Sequence, residues 1–430
     1  MKSMIHGCLL GTALALLCAC GSLGGDDQEG EESEEQNEAS TTDEAAAPPL
    51  PTIVLEPAQA QRAEGLIAHI DDGQFAGAEQ VRANARLFLY LAASDHDASV
   101  IAPSLLAMSH FFTFRGDDTE SRELADLQYI QVVRHHLESS EPTVQGAAMR
   151  AAGVITSVAT LDAQLSEAAN DVNQKLAEYA ANHPSPAGRY EAIAALVAES
   201  TSRERDRSPP RETSMASRMP PEAVAAFLTS LDASEPWVVS IALLGIESVA
   251  PQHPDRATLV TRLVELVSHE DPGVRGRAAR ALPAAAAGQQ ALIDRAVAAL
   301  LPLLEDASAY TKSEAMTALA ALDHRPAIHL IMPMTTDSTS NVYRLRGFTN
   351  LLGEPGTAYH NGSQSRRLDD AALSAIRTYA AQIGGERPFG YRVPHPNFLD
   401  RDLGTAASNA GGWYRRHRAE IPEGDGRPQQ

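Results

Sequence analysis

The chain has 430 residues, of which 43% are hydrophobic and only 5% aromatic, and its formal net charge is −21. This length fits two or three ordinary domains or one elongated array of repeats. The acidic balance disfavours a broad phosphate-binding surface, because nucleic-acid binders concentrate positive charge, and no nucleic-acid partner is expected.

The N-terminus combines one positive charge, an apolar stretch and a cysteine. Lys2 precedes residues 8–17, a stretch that is too short to span a membrane but fits the core of a signal peptide. The stretch runs into the letters LCAC, with an aliphatic residue three positions before Cys20 and a small residue just before it. This pattern resembles the lipobox of bacterial lipoproteins. The resemblance implies that residues 1–19 are removed and that the thiol of Cys20 takes a diacylglycerol group.

Lipid on Cys20 would attach the protein to a membrane in the cell envelope, since each buried methylene contributes about 0.8 kcal/mol and several acyl chains together anchor durably. Gly21 follows the cysteine, and by resemblance to the sorting rule of Gram-negative lipoproteins this favours the outer membrane. The alternatives are an ordinary secretory signal and an uncleaved anchor. All three cysteines lie in the first twenty residues, so the rest of the chain has no disulfide and no thiolate metal site.

Residues 20–51 are predicted to form a disordered tether. Positions 21–50 hold ten acidic residues and no basic one, and few apolar residues stand among them. A segment of that composition cannot bury a core.

From residue 56 onward the apolar positions recur at helical spacing, and the clearest unit is residues 270–282. Asp271 can cap a helix, Pro272 suits the first helical position, and the alanines that follow allow a neighbouring helix to approach closely. With Arg275 three residues after the proline, this segment resembles the second helix of a HEAT repeat. The resemblance implies an all-α fold, an α-solenoid of degenerate HEAT-like helix pairs, over residues 56–353.

Weaker copies of this unit surround it at irregular intervals. They begin near Asp95, Glu141, Ser185, Glu235, Glu305 and Asp337. Gln145, Val239 and Tyr343 occupy the position of the arginine in three of them, which leaves the regular polar ladder of HEAT proteins in doubt. A generic helical bundle is the alternative fold.

Two segments depart from the repeat pattern. Residues 199–219 are rich in charge and proline and are predicted to form an exposed loop within the repeats. Residues 354–430 contain a polar loop, a helix over 369–383, an irregular aromatic segment and a short helix ending in the letters GWYRRHR. This end resembles the tail of some bacterial HEAT-repeat proteins and is predicted to cap the last repeat, whose apolar face would otherwise be exposed.

The chain shows no catalytic signature, no phosphate-cradling glycine loop and no metal-ligand spacing. His135 and His136 are adjacent on a predicted helix and point about 100° apart, so one metal ion cannot easily bind both. Residues 95–97 could hold a cation, although a helix cap is the simpler interpretation. No enzyme activity and no cofactor are therefore expected.

Three functions remain open at this stage. The first is a membrane-tethered scaffold that binds a protein or peptide partner along its stacked helix pairs. The second is an enzyme with its site in the C-terminal segment, where His360, His395 and His417 are the first residues to test. The third is a purely structural lipoprotein, against which an exposed apolar patch on the binding face would argue.

Overall fold

Helices account for almost all of the chain that the computed structural model describes. The described residues are 48–71, 84–114, 127–159, 163–203, 221–337, 341–343, 365–384 and 399–424. They belong to one compact unit, Ala47–Gln430. The helices in the first half are α1 (Pro57–Asp71), α2 (Ala85–Ala93), α3 (Ala98–Phe114), α4 (Leu127–Leu137), α5 (Pro142–Ala159), α6 (Ala163–Asn182) and α7 (Pro186–Arg203).

The second half continues in the same way. Its helices are α8 (Pro221–Ser230), α9 (Pro236–Val249), α10 (Arg256–Leu266), α11 (Pro272–Ala286), α12 (Gln290–Leu300), α13 (Ala309–Ala321), α14 (Ala327–Ile331), α15 (Leu368–Gly384) and α16 (Leu399–His417). Short 3-10 turns follow α9, α12, α14 and α16, at Ala250–Gln252, Leu301–Glu305, Met332–Thr336 and Arg418–Glu420.

From α2 to α15 the helices alternate between two layers. The even-numbered helices are the first members of seven helix pairs, and the odd-numbered helices α3, α5, α7, α9, α11, α13 and α15 are the second members. Each second helix packs against its own first helix and against the neighbouring second helices, so these seven form an unbroken row. We call them the second-helix row. This arrangement is the α-solenoid expected from the sequence.

A proline marks the first residue of four of the second helices. Pro142, Pro186, Pro236 and Pro272 are the first residues of α5, α7, α9 and α11, as the repeated pattern predicts. At α11 the Asp271 carboxylate accepts the free N–H of Val274 at 3.0 Å. A proline at the first helical position sacrifices no intrahelical hydrogen bond.

Small residues allow the helices of the row to lie close together. Ala278 and Ala279 of α11 are fully buried. Gly153 of α5 lies so close to α7 that an added Cβ would come within 2.4 Å of the carbonyl oxygen of Ala195. The alanine-rich composition therefore serves close packing between neighbouring helices.

The start of the predicted copy near Asp337 to Val342 is wrong, and residues 344–352 of that copy lie outside the described residues. Residues Asn341–Tyr343 form a strand, β1, which pairs antiparallel with β2 (Ser365–Arg367), with Val342 opposite Arg366. The last second helix is instead α15, which packs against α13, so the row continues beyond residue 353. Helical spacing alone cannot show which segment fills the next place in a row, because that depends on contacts between distant helices.

The predicted loop over 199–219 and the predicted tether up to residue 51 also differ from the structure at their ends. Helix α7 continues to Arg203, so the first five residues of the predicted 199–219 loop are helical. Residues 204–220 lie outside the described ranges. At the N-terminus, the carbonyl of Pro48 accepts a hydrogen bond from His135 Nδ1 at 2.7 Å and Ile53 is buried, so residues assigned to the tether up to 51 contact the helices.

Helix α16 covers the end of the row. It packs against α15 and the turn at Met332–Thr336, and the Trp413 side chain is only 3% exposed. His329 joins the two parts, because its Nε2 donates to the carbonyl of Pro422 at 3.0 Å and its Nδ1 accepts from the Tyr414 hydroxyl at 2.6 Å. None of the helices in the described ranges has the length and apolar character needed to cross a membrane.

Candidate binding surface on the second-helix row

Two ion pairs join successive second helices in the same register. Arg150 of α5 donates to both carboxylate oxygens of Glu191 of α7, at 2.8 and 2.7 Å, and Arg280 of α11 donates to Glu247 of α9 at 2.9 Å. Arg150 stands eight residues after the first residue of its helix and Glu191 five residues after. Glu247 and Arg280 stand eleven and eight residues after theirs. In both interfaces the facing residue on the later helix is therefore three positions nearer its helix start.

Aromatic contacts follow the same register nearer the helix starts. The rings of Tyr190 in α7 and Trp237 in α9 have centroids 5.5 Å apart. In the interface of α11 with α13, Tyr310 lies against Gly276, where an added Cβ would meet the ring at 2.4 Å. In both contacts the residue on the earlier helix stands four residues after the first residue of its helix. The residue on the later helix stands one residue after the first residue of its own helix. One offset of three residues thus recurs in four successive interfaces of the row.

This register places Arg277 opposite an apolar residue. One helical turn before Glu247 and Arg280, the facing positions are Leu244 of α9 and Arg277 of α11. The equivalent positions in the α5–α7 interface hold Arg150 and Glu191, which form the bidentate pair. Leu244 therefore stands where a counter-ion for Arg277 would be expected.

The structure leaves the Arg277 guanidinium incompletely satisfied. Its Nε atom is buried and has no hydrogen-bond partner within the part of the chain that the structure describes. Burial raises the pKa of the nearby Tyr310 hydroxyl to about 12, and the positive charge of Arg277 opposes that rise. Leu244 and Arg277 are both only partly buried, so this position of the row is open to solvent.

A second set of polar contacts lies at the start of α11 and reaches the turn before α13. Arg275 of α11 donates to both oxygens of Asp306, at 2.8 and 2.9 Å, and to the carbonyls of His269 and Glu270. Burial alone would raise the pKa of Asp306. Hydrogen bonds from Arg275 and from the Ser308 N–H, together with nearby positive charge, hold it below its usual value.

Partial copies of this contact occur earlier in the row. The Arg189 guanidinium of α7 lies 3.5 Å from Glu235, and Gln145 of α5 hydrogen-bonds to His183 at 3.0 Å. Val239 of α9 has an apolar side chain at the corresponding position, so the ladder is interrupted there. Arg189 was missed by the sequence analysis, although its place three residues after Pro186 was the available signal.

The histidines singled out in the sequence do not share a site in the described structure. Nε2 of His136 donates to the carbonyl of Ala92 at 2.6 Å, whereas His135 binds the carbonyl of Pro48. Asp97 accepts from the Ser99 N–H at 2.9 Å and so acts at the start of α3. Within the described ranges no group of three or more His, Cys, Asp or Glu side chains could hold a metal ion.

The C-terminal candidates are only partly described. His417 stacks on Trp413 with ring centroids 5.3 Å apart, and its Nδ1 lies 3.1 Å from a Glu420 oxygen. His360 and His395 lie outside the described residues, as does the predicted lipid-attachment residue Cys20.

No protein-family model and no curated protein matches the chain. Among solved structures, an engineered protein is similar at 17% identity over 77% of this chain and 96% of its own, with a TM-score of 0.28. Kap121p is similar at 10% identity over 83% of this chain, with a TM-score of 0.35, and a Kap121p mutant at 11% over 86%, with a TM-score of 0.36. The chain covers 43% of either Kap121p chain. Because these TM-scores are low, the fold assignment rests on the helix contacts described above.

Proposed function

We propose that this protein is a membrane-anchored helical-repeat scaffold that binds a protein or peptide partner in the bacterial envelope. The observation that carries the binding proposal is the unbroken second-helix row. A row of stacked pairs offers many positions along one surface, which suits contact with an extended partner. The lipobox at Cys20 supports the anchoring proposal, and Gly21 supports a place at the outer membrane.

The repeats are best assigned to the HEAT type. Asp271 caps its helix, Pro272 begins it, and Arg275 reaches forward to Asp306 before the next second helix. This combination links the α10–α11 pair to the next pair through the turn that precedes α13. The earlier contacts of Arg189 and Gln145 are consistent with a degenerate version of the same ladder.

Replacing the lipid-attachment residue tests the anchor. We expect Cys20→Ser to abolish incorporation of labelled palmitate and to leave unprocessed or soluble protein, because the serine hydroxyl cannot form the thioether. The matched control is Cys18→Ser, which keeps the attachment residue and should be labelled and fractionate like the wild type. Membrane attachment of processed Cys20→Ser protein would contradict the anchor.

Site-specific crosslinking in intact cells tests the binding function. A photo-crosslinking amino acid at Ala194 or Leu244, two partly buried positions of the second-helix row, should give discrete crosslinked products. The same amino acid at Arg295, on first helix α12, is the control and should give none of these products. Identical products from both layers would show non-specific proximity, and no product at either row position would contradict a partner-binding row.

A further inference from the structure

We propose that residues 48–55, which we call the strap, close the N-terminal end of the solenoid and fix the point at which the predicted tether leaves the folded body. The inference goes beyond the proposed function, because it depends neither on lipid at Cys20 nor on a partner. It is carried by the burial of the strap side chains, by the contacts at the end of α4 and by the packing of α1.

The strap lies on the helices with one face only. The Ile53 side chain is 7% exposed and belongs to the core, and Leu50 and Leu55 pack against the core in part. Val54, next to Ile53, is 75% exposed. Because adjacent side chains of an extended chain point to opposite sides, this pattern is that of an extended segment bound along one side to the body.

Three prolines prepare the strap for this position. Pro48, Pro49 and Pro51 have a fixed φ angle and carry no N–H group that would need an acceptor. A proline also keeps the residue before it out of the helical region of backbone space. The unbound strap therefore has fewer conformations to lose, and docking costs less conformational entropy than it would for an ordinary linker.

The end of α4 holds the strap through one of three successive residues that bind in different directions. Arg134 pairs with a carboxylate of α6 at 3.0 Å, and His136 donates to a carbonyl of α2 at 2.6 Å. Between them, His135 Nδ1 donates to the carbonyl of Pro48 at 2.7 Å. Neighbouring residues on a helix point about 100° apart, which allows these separate contacts. The two adjacent histidines thus join α4 to α2 on one side and to the strap on another.

The strap continues directly into α1, which covers the first helix pair. The Glu56 N–H donates to Gln59 Oε1 at 3.1 Å, so the strap ends where α1 begins. Helix α1 packs against both members of the first pair, α2 and α3, and its Ala63 is fully buried. The exposed side chains of α1 include those of Gln59, Gln61, Arg62 and Glu64. A terminal element with a polar outer face is what the end of a repeat array requires, so the strap and α1 cover the first pair as α16 covers the last.

The position of the strap also sets where the tether begins. His135 belongs to a first helix, so a tether that starts at Pro48 leaves the body beside the first-helix layer. Release of the strap would add its eight residues to the tether. Since an extended chain spans about 3.4 Å per residue, the reach of the tether would increase by up to about 27 Å.

Limited proteolysis of the purified full chain with proteinase K tests the strap, with the products identified by mass spectrometry. The bonds between residues 52 and 55 are the informative ones, because proline bonds resist this protease in any conformation. In the wild type these bonds should resist cleavage. Ile53→Asp should accelerate their cleavage roughly tenfold or more, because a carboxylate is too costly to keep in a buried site. The matched control is Val54→Asp, the same change on the exposed face, which should be cleaved like the wild type.

A second variant tests the strap without placing a charge in the core. His135→Phe keeps an aromatic ring of similar size and removes the donor to Pro48, so cleavage between residues 52 and 55 should become roughly three to ten times faster. Hydrogen exchange separates local release from unfolding. In both variants we expect faster exchange in α1 and wild-type exchange in α9 to α13.

Three results would overturn the proposal. They are equal cleavage of Ile53→Asp and Val54→Asp, cleavage of the wild type between residues 52 and 55 as fast as within residues 30–46, and a wild-type cleavage rate in His135→Phe. The partner-binding function is judged separately, by the crosslinks from Ala194 and Leu244, so its failure would leave the strap standing and the reverse also holds.

Discussion

At the scale of single residues, the distance between neighbouring second helices is set in part by a glycine, which has no side chain. Gly153 has no Cβ, and the backbone of Ala195 occupies the space where one would lie. Backbone cannot move aside as the end of a long side chain can, so this contact tolerates only glycine. Gly404 in α16 is also helical, but nothing lies within 4 Å of its Cβ position.

These two glycines give opposite predictions for the same substitution. Gly153→Ala should lower the free energy of unfolding by roughly 1–3 kcal/mol, because α5 and α7 must separate to admit the methyl group. Gly404→Ala should raise it by up to about 1 kcal/mol, since alanine is the better helix former. Urea denaturation of both variants measures this. A stabilising effect at Gly153 would show that α5 and α7 are not in close contact.

Burial at His136 produces a pH dependence. Desolvation lowers the pKa of this side chain and the charge of His135 lowers it further, while the hydrogen bond to the Ala92 carbonyl opposes both. The folded state therefore binds fewer protons than the unfolded state near the usual histidine pKa of about 6.5. By linkage, stability falls as the pH falls through that region.

The His136→Gln variant tests this dependence. Glutamine retains an N–H donor for Ala92 but does not titrate, so the loss of stability between about pH 7.5 and 5.5 should become smaller than in the wild type. His324, whose pKa is also lowered by burial, should account for part of the slope that remains. Because the charge of His135 also lowers the pKa of His136, His135→Gln should reduce the slope as well, but by less. An unchanged slope in His136→Gln would exclude His136 as the source.

At the scale of the helix, local signals at the N-terminus of α11 define where that helix begins. Asp271 of α11 provides a side-chain acceptor, whereas Gln289 before α12 makes no side-chain cap. A cap contributes about 1 kcal/mol, because it satisfies an N–H that has no acceptor within the helix. The start of α11 is thus defined by interactions within a few residues of the chain.

Removing the cap gives the matching prediction. Asp271→Ala should destabilise the protein by about 1 kcal/mol, and Asp271→Asn should restore most of that loss. Gln289→Ala, at a position without a side-chain cap, should change stability by less than about 0.5 kcal/mol. Thermal unfolding followed by circular dichroism is the measurement. Equal effects at the two positions would mean that the Asp271 contact contributes nothing.

At the scale of the whole solenoid, each pair is stabilised mainly by the pairs next to it. Such an array has stability that varies along its length, and the last pair depends on what covers it. Here α16 covers the end through Trp413, and the His329–Tyr414 hydrogen bond closes the contact. The covering helix is therefore part of the fold and not an appendage.

Trp413→Ala should detach this cover. Loss of a buried tryptophan costs roughly 3–5 kcal/mol, and we expect faster hydrogen exchange in α15 and α16 with protection retained in α5 to α11. Tyr414→Phe keeps the ring and loses only one hydrogen bond, so its effect should be about 1 kcal/mol. A uniform loss of protection over all described helices would contradict nearest-neighbour stabilisation.

The sequence by itself determined the helical class and the starts of the second helices at Pro142, Pro186, Pro236 and Pro272. Those features arise from interactions within a few residues, such as a cap or a proline at the first turn, so they can be recognised locally. It also predicts a lipoprotein signal ending at Cys20, which stays a prediction.

Only the tertiary structure decided which helix completes the row and which side chains face each other. Helix α15 packs on α13 across a gap of more than forty residues, and no local signal marks that step. The offset of three residues between second helices depends on how far one helix slides along the next, which is set by side-chain packing and close glycine contacts. For that reason only the tertiary structure shows that Leu244 of α9 faces Arg277 of α11.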